Sequence, residues 1–402
     1  MKVLHVIASV DPRDGGPIEG VFATSKIWLE HGHEGHIICL DPPDAPWVQN
    51  SPVQTFAMGR ESRLGRVLSR IWPWLHGYRY TPNLLPWLMS NAENYDALII
   101  NGLWNYASYG SWRALQKLNV PYFVFTHGML DPWFNTSAPI KTIFKKIFWK
   151  LCEHKVLRDA RGVMFTCEVE RRLAAQSFSP YIAREFVVGF GTRDIDGNQE
   201  TQRAAFAAKV PEVRNRKFML FLSRIHPKKG VDMLIQAFAD QAARFPELDL
   251  VIGGPDQTGW KSELQQLAKT HGVAERIHWP GMLAGDAKWG AFRSAEYFVL
   301  PSHQENFGIV IAEAMALGKP VLITDKVNIW REVETDGAGL VVDDNVDAII
   351  KGLDEMCALS PLEREAMGIK ARKCFLNHYN LENNAMMLLQ LMPRLSTSAE
   401  IP

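Results

Sequence analysis

The sequence predicts an α/β protein of two domains, each built around a parallel sheet. Three observations carry this. Short β-rich runs alternate with helical patterns from one end to the other, the order that βαβ units produce. At 402 residues the chain exceeds what one hydrophobic core usually holds. The strand candidates also fall into two sets, separated by a polar, weakly patterned stretch at 191–217 that reads as an interdomain linker. The first set is 3–8, 35–40, 53–57, 96–101, 122–126, 162–166 and 185–188. The second is 218–222, 248–252, 277–279, 297–301, 320–324 and 339–342. The expected division is a first domain at 1–195, a second at 196–375, and a C-terminal segment at 376–402 whose helix runs about 376–391.

Composition narrows the function classes. With 47% hydrophobic and 22% charged residues the chain is an ordinary globular protein. Its 44 basic and 44 acidic residues cancel, which argues against a general nucleic-acid binder. The balance is uneven: residues 1–195 hold 21 Lys/Arg against 17 Asp/Glu, and the remainder 23 against 27. Cys39, Cys152, Cys167, Cys357 and Cys374 are scattered and odd in number, so they read as free thiols in a reducing compartment. No apolar run reaches the roughly 18 residues of a membrane span, and the chain enters a strand at Lys2 without a leader-like segment. The expected location is the cytoplasm, either free or peripheral on the cytoplasmic face of the membrane.

The most informative motif is Ser302-His303-Gln304-Glu305-Asn306-Phe307-Gly308-Ile309-Val310-Ile311-Ala312-Glu313. It follows a predicted strand, so Glu305 lies on a loop at a strand's carboxyl end, where open α/β sheets bind ligands. Phe307, Gly308 and Ile309 open a helix whose N-terminal amides suit a phosphate. Glu313 falls about two helical turns after Glu305 and can look back to the same crevice. A loop carboxylate for sugar hydroxyls, amides for a diphosphate and a helical carboxylate for a ribose diol together describe a nucleotide-sugar site. A second loop, Ser223-Arg224-Ile225-His226-Pro227-Lys228-Lys229-Gly230, leaves another strand. Arg224 can grip phosphate bidentately and Lys229 adds a compact charge.

Two Glu residues eight positions apart, in the setting Glu-Asn-Phe-Gly…Glu-Ala-Met-Ala-Leu-Gly-Lys-Pro-Val, resemble the signature of the retaining glycosyltransferases of family four, also called group 1. The resemblance implies the GT-B fold: two Rossmann-like domains facing each other across a cleft, with the C-terminal helix crossing back to the first. It implies that the Arg and Lys of an Arg-x-x-x-x-Lys-Gly loop, here Arg224 and Lys229, hold the donor diphosphate. It also implies that His127, in Phe125-Thr126-His127-Gly128 after a first-domain strand, reaches the donor sugar. It places a Gly-Gly loop, here Gly15 and Gly16 before Pro17, against the donor phosphates and acceptor; a plain turn explains these glycines equally well. Gly253, in Gly253-Gly254-Pro255-Asp256, borders the donor pocket. The backbone of Met282 and Leu283 passes beside the base, and Ala284, where guanine-preferring relatives often carry an acid, favours uracil. Asp131 and the loop Asn101-Gly102-Leu103-Trp104-Asn105 are candidates for the acceptor side. Where relatives run into Pro-Asn-Gly-Val-Asp, this chain reads Val188-Gly189-Phe190-Gly191-Thr192-Arg193-Asp194, a departure near the hinge.

The expected reaction moves a hexose from a nucleoside-diphosphate sugar, UDP-glucose for example, to a saccharide or lipid-linked saccharide in polysaccharide or glycan assembly, with exopolysaccharide as the family's habit. The resemblance implies retention by front-face substitution, the departing β-phosphate oxygen taking the acceptor proton. Its catalytic set is His127, Arg224, Lys229 and Glu305. No group of His, Cys, Asp or Glu has ligand spacing in the sequence, so no metal and no other cofactor is expected.

Residues 140–158 repeat Ile140, Ile143, Phe144, Ile147, Phe148 and Leu151 at helical spacing among Lys141, Lys145, Lys146, Lys150, Lys155 and Arg158. Such a face suits an anionic membrane surface, or an ordinary core beneath solvated lysines. A second stretch combines Arg60, Arg63, Arg66, Arg70 and Arg79 with Trp72, Trp74 and Trp87, and suits a headgroup interface or a glycan. The alternatives to a hexosyltransferase using UDP are a GDP-mannose-dependent mannosyltransferase, a nucleotide-sugar epimerase of the same fold, and a non-catalytic sugar-nucleotide binder. An NAD(P) oxidoreductase is disfavoured because no Gly-x-Gly-x-x-Gly follows a strand.

Overall fold

The protein is described from a computed structural model that covers residues 1–59, 78–136 and 139–397. Arg60, Arg63, Arg66, Arg70, Trp72 and Trp74 therefore lie outside the described residues. The chain folds into two compact units. One holds the residues up to Phe190 and those from Leu381 onward; the other is Gly191–Asn380. The divisions at 195 and 376 expected from sequence are thus displaced to 190 and 381.

Unit one contains β1 (Lys2–Ile7), β2 (Glu34–Cys39), β3 (Thr55–Ala57), β4 (Ala97–Asn101), β5 (Tyr122–Phe125), β6 (Gly162–Phe165) and β7 (Glu185–Val187). They form a parallel sheet in the order β3-β2-β1-β4-β5-β6-β7. Because side chains alternate along a strand, this sheet has two buried faces. Leu4, Val6, Leu98, Ile100 and Val124 join one core with Leu84, Leu88, Ala107 and Val156 from covering helices. Val3, Ala97, Ile99 and Phe123 join the other with Ile27, Trp28, Leu381, Ala385, Leu388 and Met392. The last four belong to the helix Leu381–Thr397, which packs on the helix Gly16–Glu30. Trp28, fully buried, donates its Nε1–H to the carbonyl of Ala385 at 2.9 Å. The C-terminal helix therefore belongs to the first sheet, although it starts five residues later than the apolar pattern suggested.

Unit two contains β8 (Lys217–Leu222), β9 (Leu248–Gly253), β10 (Ile277–Gly281), β11 (Tyr297–Leu300), β12 (Val321–Thr324) and β13 (Gly339–Val342), parallel in the order β10-β9-β8-β11-β12-β13. The stretch read as a linker holds a helix, Gln199–Lys209, capped by the Asn198 side chain on the Thr201 amide at 3.0 Å. It packs on the helix Gly285–Ser294, where a Cβ on Gly290 would strike the Gln202 carbonyl. Only Gln202 and Phe206 of that helix are buried, so its apolar signal is weak. Among the described residues no helix is long and apolar enough to cross a membrane.

Candidate functional site

In unit two the strand order reverses between β8 and β11: connections leave β8 towards β9 on one side and β11 towards β12 on the other. A crevice opens at the carboxyl ends of two such strands. The loops that leave those ends are joined, because the His303 amide donates to the Lys228 carbonyl at 2.9 Å. Gly230 sits at φ +65°, and a Cβ there would strike the Pro301 carbonyl, so only glycine lets the loops approach this closely.

Lys229 ends the short 3-10 turn Pro227–Lys229 and is 8% exposed. Its ammonium group ion-pairs with the carboxylate of Glu305 across the two loops. Backbone fixes Glu305 in turn: its amide donates to the Lys326 carbonyl and its carbonyl accepts from the Asn328 amide, both at 3.0 Å. Gly308, at φ +71°, caps the helix Ile309–Ala316 without a side-chain acceptor; the Ile311 amide donates to the Gly308 carbonyl at 2.8 Å, so a ligand would meet the amides of Ile309 and Val310. A Cβ on Gly308 would lie 3.1 Å from Glu305 Cγ, so the amide cluster and the ion pair are contiguous. Arg224 is exposed and donates to Gln257 Oε1 at 3.2 Å. His226 lies on the same loop, and burial together with Arg224, Lys228 and Lys229 lowers its pKa.

The remaining predicted donor residues are placed as follows. Asn306 Oδ1 accepts from Asn328 Nδ2 at 3.3 Å, and the Phe307 ring meets Tyr379 edge-on at 5.4 Å. Both side chains brace the turn, so a ligand would meet their backbone. Glu313 is 6% exposed and its Oε1 accepts from Lys288 at 2.6 Å. Lys288 lies 25 residues away on another helix, with no spacing in the sequence to connect the two. Gly253 is buried at the end of β9, where a Cβ would meet Leu222 Cδ1 at 2.7 Å. Packing accounts for that glycine without a ligand. Leu283 is buried beside it, whereas Met282 is 70% exposed.

Unit one has its own switch point, between β1 and β4. His127 and Trp104, on the loops after β5 and β4, hold φ of +48° and +69°, a strained choice for residues with a Cβ. The His127 ring stacks on Phe125 at 4.5 Å, and Nε2 lies 3.1 Å from Asn101 Oδ1. Asn101 Nδ2 continues to His5 Nδ1 at 3.3 Å. With the carboxamide oxygen accepting, Nε2 of His127 carries the proton. Burial lowers His127 to about 4 and His5 to about 3, so both are neutral near pH 7 and neither adds cationic charge. Gly15 and Gly16 face open space, with no atom near a built Cβ, and Pro17 stands in the first turn as expected. Asp131 Oδ1 accepts from the Trp133 amide at 2.9 Å, a local cap. Glu153, which the sequence did not single out, is completely buried. Its Oε1 accepts from the Trp104 amide at 3.0 Å and Ser108 Oγ at 2.8 Å.

Asp336, Cys374 and His378 bring their ligand atoms within 4.8 Å of one another, a grouping that appears only when the chain folds. An Asp-x-Asp pair, Asp194 and Asp196, also lies in the chain, but Asp194 is held by Arg372 at 2.5 Å.

Residues 202–374 match the family described as glycosyl transferases group 1, and residues 15–191 match the glycosyl transferase 4-like domain. The chain belongs to the group 1 glycosyltransferases. Its two parallel sheets are those of the GT-B fold. Solved structures similar to this glycosyltransferase include one from Rickettsia africae ESF-5, with TM-score 0.76, 16% identity and 99% of each chain covered. Another is Anabaena HepE in complex with UDP and glucose, with TM-score 0.74, 17% identity, and 99% of this chain and 100% of that one covered. A D-inositol 3-phosphate glycosyltransferase of Rhodococcus jostii is 33% identical over 155 residues, 37% of this chain and 34% of that protein. A GDP-mannose-dependent alpha-(1-6)-phosphatidylinositol monomannoside mannosyltransferase of Mycolicibacterium smegmatis is 28% identical over 248 residues, 59% of this chain and 63% of that protein. The glycosyltransferase chain thus spans less than two thirds of the length of either curated relative.

Proposed function

We propose that this glycosyltransferase moves a hexose from a nucleoside-diphosphate sugar to a saccharide or lipid-linked saccharide, with retention at the anomeric carbon and without a metal. The observation that carries the reading is the Lys229–Glu305 pair beside the uncapped helix at the carboxyl ends of β8 and β11. Lys229, Arg224 and the Ile309–Ala316 helix terminus are assigned to the donor diphosphate. As the bond between the anomeric carbon and the β-phosphate oxygen breaks, charge grows on that oxygen, and these donors stabilise it. The same oxygen takes the acceptor hydroxyl's proton, and the new bond forms on the face that the leaving group vacates. Glu305 is engaged with Lys229, so its role is to orient the ammonium group and meet sugar hydroxyls, not to attack. Glu313, steadied by Lys288, is assigned to the ribose diol, and the neutral His127 to the donor sugar.

UDP-glucose is the favoured donor, supported by Ala284 and by the UDP and glucose bound to HepE. The mannosyltransferase relative supports GDP-mannose as the second reading. Incubation with a panel of UDP-, GDP- and ADP-sugars without acceptor should give slow hydrolysis, fastest for UDP-glucose and unchanged by EDTA. Loss of activity in EDTA would overturn the metal-free mechanism. Donor binding without any turnover would make the protein a binder.

An anionic membrane surface is the proposed partner of unit one. Ile143, Phe144, Ile147 and Leu151 are 60%, 48%, 52% and 62% exposed, so this apolar face is not core. Phe148 turns inward, edge-on to Tyr78 at 5.5 Å. Lys146 and Lys150 are exposed on the same segment, and Lys145 lies 4.6 Å over the Trp104 ring. Cations beside an exposed apolar stripe match anionic lipid headgroups. The protein should sediment with phosphatidylglycerol-containing vesicles and not with pure phosphatidylcholine. Phe144→Glu should weaken that binding at least about tenfold, the worth of one buried aromatic ring. Sedimentation indifferent to lipid charge would count against the assignment.

A further inference from the structure

We propose that unit two carries a second anion site, for a small phosphorylated molecule, in a cavity at the amino ends of β8, β9, β11 and β12. The cavity has a volume of about 850 Å³ and is lined by six Lys or Arg residues against three Glu. It reaches Lys217 at the start of β8 and Glu296, which immediately precedes β11. Lys229 and Glu305 lie beyond the opposite ends of those strands. Six residues of β8 at about 3.3 Å each put the two regions roughly 20 Å apart.

Arg293, Lys319 and Arg364 are half-buried in this cavity, and Arg203 is exposed. Arg203, Arg293 and Lys319 come from a helix, the end of another helix and a strand entry, and none forms an ion pair among the described residues. Lys319 Nζ donates to the carbonyls of Arg293 and Ala295, at 2.9 and 2.7 Å, which anchors it and leaves one proton for a ligand. Burial and the neighbouring Arg203 and Arg293 lower Lys319 to about 8, and burial and Arg203 lower Arg293 as well. Arg364 contributes a fourth cation and a third guanidinium. Nη1 is paired with Glu296 and Nη2 donates to the Leu359 carbonyl, while the buried Nε has no acceptor. Three mutually repelling cations and an unanswered buried donor around one cavity call for a multivalent anion, and phosphate esters offer enough acceptors to meet them.

Two of the three lining carboxylates, Glu247 and Glu365, are exposed, and the third, Glu296, is already used by Arg364. None of these carboxylates satisfies Arg203, Arg293 or Lys319. This site is independent of the sugar-transfer reading, which uses the other end of the sheet. It would hold its ligand whether or not the donor assignment is right.

The test is calorimetric titration of inorganic pyrophosphate, at constant ionic strength, into the full chain carrying Arg224→Ala and Lys229→Ala. These substitutions remove the two cations assigned to the donor diphosphate and leave Lys228 in place. Binding should persist in this background, and adding either Arg203→Gln or Arg293→Gln should weaken it at least about tenfold, the worth of one charge-assisted contact. Arg203 lies on the exposed side of its helix, so its replacement cannot unfold the protein. Without ligand, Arg203→Gln should melt at or above the parent temperature, since it removes repulsion and breaks no ion pair. Absence of pyrophosphate binding in the donor-loop background, or full affinity in both cavity variants, overturns the site.

Discussion

Lys229→Ala should lower kcat/KM for sugar transfer about a hundredfold. The expected loss, on the order of 3 kcal/mol, is that of one preorganised donor to a developing oxyanion. The environment of Lys229 makes this an upper-range case. At 8% exposure the ammonium group meets a ligand with little competing water, where charge interactions are strongest. Its removal also strands Glu305, whose side chain is 19% exposed and which pairs with no other cation among the described residues. A repelling carboxylate would then face the diphosphate, and the fold would lose about 1–3 kcal/mol as that charge stays partly desolvated. Arg224→Ala separates the two effects. Arg224 is exposed and contacts only Gln257 among the described side chains, so stability should hold while turnover falls at least about tenfold. Steady-state rates paired with urea denaturation of both variants decide the matter. Near-normal transfer in both would remove these residues from the reaction.

Glu153→Gln should abolish a pH dependence of stability worth about 3 kcal/mol. Burial raises the Glu153 carboxyl from 4.5 to about 7, against a smaller opposing effect of the Ser108 and Trp104 hydrogen bonds. The folded protein therefore keeps this proton over a range where the unfolded chain has lost it. The stabilising contribution is complete below pH 4.5 and is lost as pH rises through 7, at about 1.4 kcal/mol for each pH unit of difference. Glutamine keeps an acceptor for Trp104 N–H and Ser108 Oγ but cannot ionise. Between pH 5 and pH 8 the natural protein should lose stability that the variant keeps, and urea midpoints at the two pH values measure it. His5 and His127 work in the opposite sense. Their lowered pKa values stabilise the fold above pH 6.5, and that stabilisation fades as pH falls towards 4 and then 3. Equal pH slopes in the natural protein and Glu153→Gln would mean that Glu153 is ionised in the fold.

Much of this architecture was legible because its strands are buried on both faces. Runs such as Phe218-Met219-Leu220-Phe221-Leu222 are continuous in apolar residues, and each strand expected from the sequence is found within a residue or two of its bounds. The Lys229–Glu305 contact was also within reach, since both residues follow strands that a doubly wound order places side by side. The helix Gln199–Lys209 was not, because it buries only Gln202 and Phe206 and the rest of it reads as linker. Glu153 was hidden among lysines at helical spacing, where nothing local tells that its carboxyl turns inward. Lys288 with Glu313, and Asp336 with Cys374 and His378, are pairings across sequence distance that only a folded chain reveals.

The chain leaves the first unit at Phe190 and rejoins it at Leu381, and the two ends of the intervening piece meet: the Thr192 amide donates to the Tyr379 carbonyl at 3.1 Å, and Thr192 bridges Asn380. A segment whose ends are already clasped can be cut out or transplanted with little loss of chain entropy. Gly191–Asn380 is therefore a cassette, and exchanging it between relatives would carry one nucleotide preference into a scaffold evolved for another.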